Sequence, residues 1–185
     1  MCIKLINADS YEYIKNIPDK SIDLIITDPP YEIGNGGMTG IFKYEGRSQL
    51  YMSEIMNNNF ANGFDYSILD ELVRVLKNIY IYIWCNKEQI PFYLKYFVEE
   101  RNCNFEFIIW NKENTPPFTC GHYVKDKEYC LLFWEKGKGN VFKGNFQTMK
   151  TVIRTNVNIQ DKKLYNHPTI KPLPIIKNFI LNSTN

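Results

Sequence analysis

Apolar positions along this chain gather in short runs separated by polar, turn-rich segments. Ser21–Thr27 (SIDLIIT), Ile79–Trp84 (IYIYIW), Asn104–Trp110 (NFEFIIW) and Glu128–Trp134 (EYCLLFW) are rich in β-branched and aromatic residues, which predicts strands. Ser21–Thr27 reads as a strand buried on both faces, and Met1–Asn7 as a further short strand ending at Ala8-Asp9-Ser10. Elsewhere the period is helical. In Ser67–Lys77, Ile68, Leu69, Leu72, Val73 and Leu76 share one face behind a capping-box-like start at Ser67 and Asp70. Tyr11–Asn16 and Pro91–Glu100 also read as helices. Pro172 opens a last helix through Leu181, with Ile175, Ile176, Phe179 and Ile180 facing inward. Gly34–Gly40 (GNGGMTG) is a loop, Gly137–Asn140 (GKGN) reads as a hairpin turn, and residues 136–166 are polar, basic and irregular. Strands alternating with helices predict an α/β domain with a largely parallel sheet.

A length of 185 residues fits one domain with a real core, and 44% apolar with 23% charged residues fits a globular protein. The net charge of +2 hides an asymmetry. Residues 1–100 carry 9 Lys+Arg against 14 Asp+Glu, while residues 101–185 carry 13 against 6. The second half is therefore the expected partner of a polyanion, although a solvated basic face reads the same way on charge alone. Five cysteines with no C-x-x-C, no signal peptide and no bilayer-length apolar run lead to an expectation of free thiols, a cytoplasmic location and no membrane. His122 near Cys120 and Cys130 fits no standard zinc spacing, so no metal is expected.

The stretch IITDPPYEIG carries the chemistry. In an open parallel sheet ligands bind beyond the carboxyl ends of strands, which is where Asp28 falls. Pro29 and Pro30 fix φ and lack an N–H, and Pro29 biases Asp28 toward extended backbone. The result is a rigid set of acceptors (the Asp28 carboxylate and nearby carbonyls) with the aromatic face of Tyr31 beside it. That set suits a primary amine on a flat ring. A nucleobase fits both halves, with stacking worth about 1–3 kcal/mol set against a flipping cost of a few kcal/mol. The plainer reading is a strand that ends in a proline turn.

With these residues in view the chain resembles the β-type DNA amino-methyltransferases, which methylate adenine N6 or cytosine N4 with S-adenosylmethionine. NADSYEYIKNIPDKSIDLIITDPPY, LDELVRVLKN, FIIWNKENTPPF, KEYCLLFWEKG and HPTIKPLPIIKNFI are similar to its blocks, in the β-type order. The resemblance implies a Rossmann-like methyltransferase sheet. That sheet would be incomplete, because the family's Phe-x-Gly-x-Gly cofactor loop and its strands would follow ILNSTN. GNGGMTG corresponds to the family's mobile substrate loop rather than to that turn.

Residue by residue, the resemblance implies that Asp28, Pro29, Pro30 and Tyr31 hold the flipped base. It implies that Asp9, Asp28, His167, Thr169, Lys171 and Pro172 line the S-adenosylmethionine side. Residues 112–166, within a single domain spanning 1–185, would form a target-recognition-like insertion. There Lys112, Lys125, Lys127, Lys136, Lys138, Lys143, Lys150 and Arg154 would meet DNA phosphates. The implied function is site-specific methylation of double-stranded DNA, adenine N6 ahead of cytosine N4. The alternatives are a truncated relative that binds DNA or a partner without turnover, and a methyltransferase acting on RNA or protein. A complementing polypeptide or a second copy of the chain would complete the sheet.

Overall fold

The computed structural model describes residues 3–31, 65–115, 117, 121–157, 159–165 and 169–185. The glycine cluster Gly34–Gly40, Cys120 and His167 therefore lie outside the described residues. The elements are α1 (Ser10–Tyr13, continued as a 3₁₀ turn Ile14–Asn16), β1 (Ile25–Thr27), α2 (Ile68–Val75) and β2 (Tyr80–Cys85). They continue with α3 (Ile90–Leu94, extended by a π turn Lys95–Glu99), β3 (Cys103–Lys112), β4 (Lys127–Glu135), β5 (Val152–Thr155), α4 (Ile159–Leu164) and α5 (Leu173–Ser183).

Among the described residues, five strands form one sheet in the order β1-β2-β4-β3-β5. β1 pairs β2 in parallel and β3 pairs β5 in parallel, but β4 runs antiparallel to both β2 and β3. The sheet is thus mixed, not largely parallel as expected. The reason is local. The segment between β3 and β4 contains Pro116 and Pro117 and no helical period, its described residues form no crossover helix, and β4 returns antiparallel to β3. Residues 112–166 hold the central strand β4 and the edge strand β5.

β2 explains its own sequence. Ile81, Ile83 and Cys85 enter one core with Leu69, Tyr93, Phe97, Leu131 and Phe133. Tyr80, Tyr82 and Trp84 enter the other with Trp110, Leu132, Ile175 and Phe179. Both faces are covered, so IYIYIW needs no polar alternation. The strand expected to be buried on both faces, Ser21–Thr27, is shorter and only half-buried, because β1 is the edge of the sheet. Residues 3–7 form no strand, and Ile3 and Leu5 are 76% and 93% exposed.

Three further expectations change in detail. Ser67 already has helical φ/ψ and makes no side-chain cap; the Asp65 carboxylate accepts from Ser67 N at 2.9 Å instead. Gly137 sits at φ +74° in a turn after β4, but the next strand pairs with β3, so no hairpin is made there. Residues 136–166, read as irregular, include β5 and α4.

Candidate functional site

Strand directions bring the carboxyl ends of β1, β2, β3 and β5 and the amino end of β4 to one rim of the sheet. Asp28-Pro29-Pro30-Tyr31 leaves β1 at that rim, and Asn86 leaves β2 beside it. The proline segment is held by Gln89, which is 1% exposed. Gln89 Nε2 donates to the Pro30 carbonyl at 3.2 Å, while its Oε1 accepts from Asn86 N at 3.2 Å and its backbone N donates to Asn86 Oδ1 at 3.1 Å. The amide therefore ties the strand end of β1 to the start of α3 through a reciprocal cap.

Opposite Asp28 stands Lys171, on the extended segment that enters α5. Its ammonium lies 2.8 Å from Asp28 Oδ2, 2.9 Å from Glu128 Oε2 and 3.0 Å from the Tyr31 hydroxyl. It is also 5.0 Å from the centre of the Trp84 ring and 5.2 Å from that of Tyr31. Glu128, the second residue of β4, uses its other oxygen to pair with Lys112, whose ammonium lies 5.1 Å from the centre of the Trp110 ring. The Lys171 side chain is 11% exposed and Glu128 21%, whereas Asp28 is 35% exposed and is the open member of the cluster.

The electrostatics follow from this arrangement. Burial pushes the Glu128 carboxyl up, but Lys171 and Lys112 outweigh it and hold it below the usual carboxylate range. Burial works against the Lys171 charge, yet Glu128 and Asp28 keep it protonated above the ordinary lysine value. Tyr31 is held neutral, first by burial and then by the Asp28 charge. Burial raises the Cys85 thiol to about 12, against the opposing pull of Lys171, so it is not a nucleophile here. Lys162 on α4 is pushed down by burial and then by the neighbouring lysines Lys112 and Lys171.

The other expected site residues fall into groups. Asp9 caps α1, with Oδ1 accepting from Tyr11 N and Glu12 N at 2.8 and 3.3 Å. Thr169 is exposed, and Pro172 is buried as the N-cap of α5. Lys112 is engaged by Glu128 rather than presented to solvent. Lys125, Lys127 and Arg154 are exposed at the same rim as Asp28. Lys136 and Lys138 follow the carboxyl end of β4, at the opposite end of the sheet. Lys143 and Lys150 belong to a segment bonded to the carboxyl end of α5 through Asn182, also away from Asp28. His122 is exposed while Cys130 is buried in the sheet, and no metal-ligating cluster exists among the described residues. Nor is any helix among the described residues long and apolar enough to cross a membrane.

Glu128 and Gln89 carry no signal of their role in the sequence. Each stands one residue inside or beside a hydrophobic run, and only the tertiary structure brings Glu128 to Lys171 and Gln89 to the Pro30 carbonyl.

Residues 22–185 match the family model of a DNA methylase, N6_N4_Mtase. The chain is 28% identical over 193 residues to the Type II methyltransferase M2.MboI of Moraxella bovis, covering 94% of this chain and 68% of that protein. It is 28% identical over 155 residues to the Type II methyltransferase M.HinfI of Haemophilus influenzae, covering 79% of this chain but 42% of that protein. It is 25% identical over 215 residues to the DNA adenine methyltransferase YhdJ of Escherichia coli K12, covering 98% of this chain and 67% of the other. Its fold is shared with the crystal structure of the M1.HpyAVI-SAM complex, at a TM-score of 0.63 and 24% identity over 97% of this chain and 76% of that one.

Proposed function

The chain belongs to the N6/N4 DNA methylase family, and from that premise we propose that it transfers a methyl group from S-adenosylmethionine to the exocyclic amine of a base flipped out of double-stranded DNA. Adenine N6 is favoured over cytosine N4, because Asp rather than Ser precedes the Pro-Pro pair. Supporting the reading most directly is the ammonium that the pocket already holds. Lys171 Nζ sits among the Asp28 carboxylate, the Tyr31 hydroxyl and the rings of Tyr31 and Trp84, so the acceptor set and the flat walls are matched to a nitrogen donor.

On this reading Asp28 accepts a hydrogen bond from the amine and stabilises the positive charge that develops on the nitrogen. Tyr31, kept neutral, offers a stacking face. Gln89 keeps the Pro30 carbonyl in place, so the acceptors do not drift as the base enters. Asp28 or water takes the proton afterwards.

S-adenosylmethionine supplies an electrophilic methyl group when bound. By the resemblance, Asp9 and Thr169 would hold its amino- and hydroxyl-bearing parts, Asp9 with one carboxylate oxygen already capping α1. The start of α5 does not cradle its carboxylate, because Pro172 and Pro174 remove N–H donors there. DNA is met by Lys125, Lys127 and Arg154 at the Asp28 rim, in the cytoplasm where such a substrate lies.

The test is methyl transfer from labelled S-adenosylmethionine to unmethylated phage DNA, followed by nucleoside mass analysis. N6-methyladenine is the expected product. Asp28→Ala is expected to lower transfer at least about a hundredfold with cofactor affinity retained. N4-methylcytosine would correct the base, turnover unaffected in Asp28→Ala would overturn the site, and no transfer by the wild type would leave a binding protein.

A further inference from the structure

Glu128 is a charged residue in the middle of the cluster with no part in the steps above. We infer that Glu128 is a positioning residue for amine methylation, holding the Lys171 ammonium so that Asp28 keeps acceptor capacity for the incoming amine. The inference rests on the methyltransferase reading.

An ammonium has three N–H groups and no acceptor. Lys171 directs its charge at Asp28 Oδ2, Glu128 Oε2 and the Tyr31 hydroxyl, all within 3.0 Å. A full positive charge in a pocket meant for a neutral amine is a competitor unless something shares it. Glu128 shares it, and is itself fixed from the other side by Lys112. With Glu128 neutral, Asp28 is the one anion among the described residues left in contact with Lys171, and the pair it already makes at 2.8 Å is no longer shared. A neutral amine forms the weaker hydrogen bond and loses the contest for those oxygens. The difference in exposure agrees with this division of labour: Asp28 is open to an incoming group, whereas Glu128 and Lys171 are mostly covered. Besides Asp28, Glu128 and Tyr31, the titratable groups among the described residues that act on or beside Lys171 are Cys85, Lys112, Cys130 and Lys162.

The experiment compares the full chain with Glu128→Gln and Glu128→Asp, each checked for a cooperative melt above the assay temperature. Labelled S-adenosylmethionine and unmethylated phage DNA give kcat and KM, and the 13Cε resonance of Lys171 is titrated separately. Glu128→Gln is expected to lower kcat about tenfold or more, with KM for DNA and cofactor affinity within about threefold of wild type. Glu128→Asp, which restores the charge one methylene short, should lie between. In the titration Lys171 should lose its proton at lower pH in Glu128→Gln than in wild type.

An unchanged kcat in Glu128→Gln, with wild type active, overturns the inference and leaves the proposed function standing. A fall matched by lost cofactor affinity also overturns it. If wild type itself transfers nothing, the proposed function fails. The positioning claim is then decided by the titration, where an identical Lys171 midpoint in both proteins overturns it.

Discussion

Lys171 shows how much one residue's meaning depends on its neighbours. In the sequence it is a lysine before a proline-led helix, assigned to the cofactor side by resemblance. In the structure its ammonium bridges Asp28, Glu128 and Tyr31. The pair it makes with Glu128 has a consequence for stability at both ends of the pH scale. Glu128 has a folded pKa below its ordinary 4.5, so its contribution is present above that value and is lost as pH falls through the lowered one. Lys171 has a folded pKa above its ordinary 10.5, so its contribution is present below that value and is lost as pH rises through the raised one. Thermal melts should therefore show no change from this pair between roughly pH 5 and 10, with losses outside that window. Glu128→Gln should flatten the acid limb and Lys171→Met the alkaline limb. An acid limb as steep in Glu128→Gln as in wild type would remove Glu128 from the account. Gln89 carries the complementary lesson, because a lone glutamine in a turn gives no sign that it fixes the Pro30 carbonyl.

Among elements, those with an unbroken pattern are the most legible. β2 is readable because both of its faces are buried and its residues are uniformly β-branched or aromatic. α5 is readable in position but not in its inner face. Ile175 and Phe179 point inward as expected, yet Ile180 is 42% exposed and the next inward positions are Asn182 and Ser183. These polar residues are buried because they have partners. Ser183 Oγ accepts from Tyr80 OH and shares a hydrogen bond with Tyr82 OH, both at 2.9 Å, and Asn182 Nδ2 donates to the Thr148 carbonyl. Hydrophobic period alone does not detect such positions. The packing of α5 rests heavily on Phe179, which is 3% exposed and stacks on Tyr82 with centroids 4.3 Å apart. Phe179→Ala should destabilise the fold by about 3–5 kcal/mol, read as a lower urea midpoint. A shift below about 1 kcal/mol would mean that α5 is not anchored where it is seen. At the other end, Arg74 on α2 donates to the Ile14 and Ile17 carbonyls, tying the first helical turns to the sheet's helical layer.

For the molecule as a whole, the sequence places positive charge in the second half without showing where it would face. The sheet divides those cations between two ends, and only Lys125, Lys127 and Arg154 accompany Asp28 among the exposed ones named for DNA. DNA affinity should therefore fall with salt, and neutralising any of these three should reduce the log–log slope by about 0.9 for each DNA phosphate that is no longer paired. Neutralising Lys136 and Lys138 should leave the slope within error, and an equal reduction from those two would place the DNA elsewhere. The sequence by itself determined the α/β class, the helices α2 and α5, the strand β2 and the Asp28–Tyr31 motif, because each is written in contiguous residues whose pattern or backbone restriction is local. Strand direction, the edge position of β1, the joining of Asp28 and Glu128 through Lys171, and the tie of Gln89 to Pro30 were decided only by the tertiary structure. Those features depend on which distant segments pair across the sheet, and no local pattern encodes that choice.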